Sequence, residues 1–67
     1  MTEVTYEFSV MQDEDEVAAG AAGELEPIMR EAGHYAAQYR QAGPVAVYVW
    51  KSERTDIWSE VDPELRQ

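Results

Sequence analysis

Residues 13–16 read DEDE and form a run of four adjacent carboxylates, the densest chemical feature of this sequence. Carboxylates grouped in this way can bind a divalent cation, stabilise the start of a helix, or face a positively charged partner. If a helix begins here, Asp13 can act as its N-cap and Glu16 can complete a capping box. That local role accounts for two of the acids. Glu14 and Asp15 are then a surplus, which favours a basic partner.

The same region matches a calcium-binding loop only in part. Asp13, Asp15 and Glu24 fall at positions 1, 3 and 12 of an EF-hand loop. Position 5, however, is Val17, and position 6, where the sharp turn requires glycine, is Ala18. We therefore predict no specific metal site, and only weak, non-specific binding of divalent cations by residues 13–16 stays open.

Residues that could perform catalysis are scarce. His34 is the only histidine and the chain has no cysteine, so neither a metal-bound nor a nucleophilic centre suggests itself. The segment GAAG, residues 20–23, lacks the lysine and the spacing of a P-loop, and the acids beside it would repel phosphate. We predict that the protein is not an enzyme and uses no cofactor.

Charge restricts the partners further. The chain has 67 residues and a formal net charge of −9. Residues 1–29 carry eight acids and no Lys or Arg, whereas residues 30–67 carry six acids and five bases. The electrostatic field of this charge distribution attracts basic surfaces and repels nucleic acid and anionic membranes. We therefore expect no direct nucleic-acid binding and no membrane association. The absence of cysteine, of a leader-like start and of an apolar run of ~20 residues predicts a cytoplasmic protein.

The elements that must position these residues follow from apolar periodicity. Alternation over residues 3–10 predicts a strand, and apolar residues at spacings of three and four from Val17 to Tyr39 predict helix. We expect a firm helix over residues 26–41 and a shorter or kinked helical segment over residues 14–22. Whether Pro27 breaks the helix or only kinks it stays open.

The last third of the chain predicts a β-hairpin, with strands at residues 45–51 and 55–61 and a frayed tail at residues 62–67. The predicted fold is a single α+β domain, residues 1–67, with β-α-β-β order. Its three-stranded sheet has the helix packed on one face.

The hairpin pattern also predicts a surface. If the valines of residues 45–49 face the helix and Ile57 and Val61 turn inward, aromatic and acidic side chains share the other face. Such a mixture is typical of a protein interface, including a homodimer interface. The opposite assignment, with the aromatics in the core, stays open. The predicted face carries Tyr48, Trp50, Asp56, Trp58 and Glu60.

In size, acidity, lack of cysteine and predicted element order, the whole chain resembles the small phage-encoded anti-CRISPR proteins, particularly acidic ones that inhibit type I systems by imitating DNA. The resemblance implies an inhibitor, in the host bacterial cytoplasm, that occupies the DNA-binding channel of a Cascade-type complex. The candidate contacts come from the charge pattern: Glu3, Glu7, Asp13, Glu14, Asp15, Glu16, Glu24, Glu26, Asp56 and Glu60, with Tyr48, Trp50 and Trp58 as an aromatic interface.

Two other roles stay open at this point. The chain could be an antitoxin-like inhibitor of another basic protein, such as a nuclease. Alternatively, it could be a self-associating structural domain whose acids form only a solvated surface. Salt-sensitive binding distinguishes the inhibitors from the structural domain, because attraction between charges weakens as salt screens them.

Overall fold

The computed structural model describes residues 4–52 and 55–65. Over these residues the four strands form one antiparallel sheet in the order β2-β1-β3-β4, and the helix packs on one face of it. The predicted α+β class is confirmed, but the order is β-β-α-β-β and the sheet has a fourth strand. The elements are β1 (Tyr6–Gln12), β2 (Asp15–Ala22), α1 (Leu25–Arg40), β3 (Ala46–Lys51) and β4 (Thr55–Val61), followed by a 3-10 turn at Pro63–Leu65.

The fourth strand is β2, in the segment where the sequence predicts helix. Its alanines and glycine have low strand propensity, and their spacing fits a helix by coincidence. Pairing with β1 decides the conformation, because Gly20 lies directly opposite Phe8. A Cβ atom at Gly20 would lie 2.6 Å from Cε1 of Phe8, so the aromatic ring occupies the space that the glycine leaves. The predicted helical segment over residues 14–22 is therefore wrong.

A two-residue turn joins β1 to β2. Its residues, Asp13 and Glu14, have φ of 53° and 70°, in the left-handed region. Such angles at both central residues are typical of the type I′ turn, whose twist matches that of the two strands. The acidic run thus begins at a hairpin turn. The predicted helix N-cap at Asp13 and capping box with Glu16 are wrong.

Helix α1 agrees with the predicted firm helix to within one residue at each end. Pro27 lies in its first turn, where a backbone N–H has no partner within the helix, so the helix is not broken there. Ile28, Ala32 and Ala36 form the buried stripe that faces the sheet. Their spacing of four residues places them on one side of the helix.

The core lies between α1 and the face of the sheet that carries Phe8 and Val10. Phe8 is 1% exposed, and its ring stacks on Tyr35 at a centroid distance of 6.0 Å. The prediction that the valines of residues 45–49 face the helix is confirmed, since all are buried in this cluster. Full burial of a valine, leucine, isoleucine or phenylalanine side chain stabilises the fold by about 1.5–3 kcal/mol.

Asp62 ties the end of β4 to the rest of the domain. Its carboxylate accepts hydrogen bonds from Nε of Arg40 at 3.0 and 3.1 Å and from the backbone N–H of Val45 at 2.9 Å. The bond from Arg40, followed by that from Val45, lowers the pKa of Asp62, and the same contact raises the pKa of Arg40. The sequence predicts fraying from this residue onward, but Asp62 itself is anchored. Residues 66–67 of that tail lie outside the described part of the chain.

Candidate protein-binding surface

A β-bulge decides which residues of β4 share a face with the exposed aromatics. The pairing register shifts between Val49 and Trp50, so that Val49 lies opposite Trp58 and Trp50 lies opposite Asp56. Ile57 is the extra residue of the bulge, so each later side chain of β4 lies on the opposite face of the sheet from the one that strict alternation predicts. Trp58 therefore lies on the helix side of the sheet, where it packs against the core. Its predicted place beside Trp50 is wrong.

Glu60 follows Trp58 onto the helix side of the sheet. It lies opposite Val47, and its carboxylate is 3.7 Å from the guanidinium of Arg40. Val61, predicted to turn inward, lies opposite Ala46 and faces away from the helix. The prediction that Glu60 joins the exposed aromatics is therefore wrong, because the bulge at Ile57 moves Glu60 to the helix side together with Trp58.

The sheet surface opposite α1 is called the open face here. Strict alternation along β1 and β3 separates it from the buried residues Phe8, Val10, Val47 and Val49. Tyr48 is 40% exposed on this face, and Trp50 beside it is half-buried. Both aromatics therefore lie where the sequence predicts them. The central residues of the open face are Glu7, Ser9, Met11, Glu16, Ala19, Ala21, Tyr48, Trp50 and Asp56.

Two carboxylates of the open face are oriented by uncharged donors. The indole Nε1–H of Trp50 donates to Oε2 of Glu7 at 3.1 Å. The hydroxyl of Ser9 donates to Oε2 of Glu16 at 2.6 Å. A carboxylate has about four acceptor sites, so each group retains its charge and capacity for further donors. Glu7, Glu16, Trp50 and the small residues of β2 line a depression of about 350 Å³.

A second acidic surface lies at the tip of the first hairpin. Asp13, Glu14 and Asp15 are exposed there. Arg30 pairs instead with Glu26 at 2.9 Å, and Arg40 pairs with Asp62 at 3.0 Å. Within residues 4–52 and 55–65, no Lys or Arg forms an ion pair with the three acids of the tip. Their negative charge is therefore uncompensated by the described residues.

The acids that the sequence groups together do not form one surface. Glu24 and Glu26 lie beyond the other end of β2, whose eight residues separate them from the tip by roughly 25 Å. Asp56 lies on the open face with Glu7 and Glu16, whereas Glu60 is on the helix side. Glu3 lies outside the described residues. The sequence pattern also does not indicate Ser9 and the small residues of β2 as part of the candidate surface. Their role depends on the pairing of β1 with β2, which the pattern does not predict.

The described part of the chain lacks two features of other protein classes. No group of three or more His, Cys, Asp or Glu side chains there is arranged to hold a metal ion. Helix α1 has neither the length nor the apolar character needed to cross a bilayer. Comparison with known proteins gives no matching family, no similar curated protein and no similar solved structure.

Proposed function

We propose that this protein is a non-catalytic binding module that inhibits a nucleic-acid-binding protein by occupying its basic surface. The observation that carries the proposal is the hairpin tip, where Asp13, Glu14 and Asp15 project without a cation partner among the described residues. Carboxylates presented in this way can replace phosphates opposite Lys and Arg, and the release of bound counterions favours association.

The particular target that we propose is the DNA-binding channel of a type I CRISPR surveillance complex. The resemblance to acidic anti-CRISPR proteins supports this choice through size, composition and charge. The net charge of −9 also favours rapid capture by a positively charged channel, because long-range attraction raises the association rate. The inhibitor would act in the bacterial cytoplasm, by competition with target DNA.

The test measures target-DNA binding by a purified type I complex in the presence of increasing amounts of this protein. The variant Asp13→Asn/Asp15→Asn removes two charges and keeps a residue at position 13 that tolerates positive φ. We expect inhibition to weaken by roughly 2- to 30-fold, at about 0.2–1 kcal/mol for each exposed charge pair. The matched control, Glu31→Gln/Glu64→Gln, removes the same charge elsewhere and should inhibit like the parent protein.

Salt provides the second arm of this test. Inhibition should weaken steeply between about 0.05 and 0.5 M salt, because screening and counterion release both act on these contacts. Inhibition that is unchanged by salt, or equal loss in the test and control variants, would contradict a role for the hairpin tip as a phosphate mimic. No inhibition by the parent protein would refute this target.

A further inference from the structure

The open face differs from the hairpin tip because it combines carboxylates with aromatic rings. Glu7 and Glu16 lie on it together with Trp50 and the exposed Tyr48. We propose that this face docks an arginine-bearing surface of the protein partner, with one guanidinium seated between the two carboxylates and against Trp50. This inference rests on the proposed function and names the surface and the side-chain chemistry that recognise the partner.

The shape of the surface suits a side chain. The depression of about 350 Å³ is near the lower end of the usual range for ligand sites, about 300–1,000 Å³. Ala19, Gly20 and Ala21 line it, and none of them has a side chain that extends beyond Cβ. Larger residues in place of Ala19 or Ala21, which lie opposite Ser9 and Glu7 on the open face, would fill the space. The result is room beside Trp50 for one projecting side chain of a partner.

The chemistry of the depression favours arginine over lysine. A guanidinium is planar, so it can stack on an indole ring while its edge donates paired hydrogen bonds to a carboxylate. The Glu7 and Glu16 side chains already have neutral donors on one oxygen each, which fixes their direction without removing their charge. No described Lys or Arg pairs with either group. The ammonium group of lysine would pair with the carboxylates, but it is not planar and could not stack on the indole ring of Trp50.

Charge complementarity also excludes a second copy of this chain as the preferred occupant. Two open faces brought together would place Glu7, Glu16 and Asp56 near the same acids of the other copy. Each chain also carries a net charge of −9. Like charges in such an interface oppose association, whereas a basic surface converts the same groups into attractive contacts.

The test is a titration of ¹⁵N-labelled protein with hexa-arginine and, separately, hexa-lysine peptide at low salt, followed by NMR. The indole N–H of Trp50 reports on the open face, and that of Trp58, on the helix side, serves as an internal control. We expect hexa-arginine to shift the Trp50 signal, with less effect from hexa-lysine and little change at Trp58. Sedimentation of the free protein should give the mass of a monomer.

Glu7→Gln and Glu16→Gln should each weaken hexa-arginine binding about threefold to fivefold, in the range of an exposed charge pair. Glu64→Gln is the matched control and should bind like the parent protein, and circular dichroism checks that all three variants are folded. Two isosteric variants are used so that the result does not depend on one of them folding.

Four results would overturn the inference. Hexa-arginine could shift the amides of residues 13–15 and leave Trp50 unchanged, which refutes open-face docking but leaves the proposed function intact. Equal effects of hexa-arginine and hexa-lysine on Trp50 would refute the selection of arginine. A dimer mass lost on Trp50→Leu would show that a second copy occupies the face. Failure to bind either peptide would count against both proposals.

Discussion

Gly20→Ala should destabilise this protein, although the same substitution would stabilise a helix. In β2 the added Cβ would lie 2.6 Å from Cε1 and 3.3 Å from Cζ of Phe8. The Phe8 side chain is 1% exposed and stacks on Tyr35, so its ring cannot withdraw without disturbing the core. The sign of the stability change therefore distinguishes a strand from a helix at this position.

The expected magnitude comes from two opposing terms. Overpacking a core typically costs about 1–3 kcal/mol, whereas replacing glycine with alanine recovers about 0.4–1 kcal/mol through the unfolded chain. The net loss in free energy of unfolding is about 1–2 kcal/mol. For a domain of this size, that lowers Tm by roughly 4–16 °C. Gly33→Ala is the matched control, because it lies in α1 with nothing within 4 Å of its added Cβ. It should gain about 0.5–1 kcal/mol.

The assay is urea unfolding followed by circular dichroism for the parent protein and both alanine variants. The stability change caused by Gly20→Ala should also be measured in a Phe8→Leu background. The smaller leucine side chain makes room for the added methyl group, so the cost of Gly20→Ala should be lower there. If Gly20→Ala were as stable as the parent while Gly33→Ala gained stability, the close contact with Phe8 would be refuted. An equal cost in the Phe8→Leu background would show that the cost arises elsewhere.

Two further predictions concern the turn and the tail. Glu14→Gly should raise the urea midpoint by the equivalent of about 1 kcal/mol, because glycine adopts the positive φ of the turn without strain. Glu31→Gly, in α1, should instead lose about 1 kcal/mol, and a loss in both variants would contradict the turn conformation. Asp62→Asn should lower Tm at pH 7, and its effect should be smaller at pH 2. The folded pKa of Asp62 lies below its ordinary value of 3.8, so its contribution is present above that value and is lost as pH falls through the lowered pKa. The same loss of Tm at both pH values would exclude this ionic role.

Elements with a clear local pattern are predicted correctly. The alternation of β1 and the three-to-four spacing of α1 each need one buried side, and the hairpin strands are rich in β-branched and aromatic residues. Strand β2 has no such signal, because Ala and Gly carry little preference for a strand. Its conformation depends on Phe8, which lies twelve residues earlier and covers Gly20.

The candidate surfaces are predicted less completely. Glu7, Tyr48 and Trp50 lie on the exposed side as the alternation indicates, because no irregularity separates β1 from β3. Beyond Trp50 the bulge at Ile57 moves Trp58 and Glu60 to the helix side. A single extra residue in a strand reverses every later side chain, and the alternation pattern alone does not reveal it.

The sequence by itself determined the charge of −9 and its concentration in residues 1–29, the lack of cysteine and the position of α1. These properties are sums over residues or depend on neighbours a few positions away. Only the tertiary structure decided that the acidic run begins at a hairpin turn and that Glu7, Glu16 and Trp50 line one depression. Those arrangements depend on pairing between distant segments, whose register is set by core packing and by two bulges.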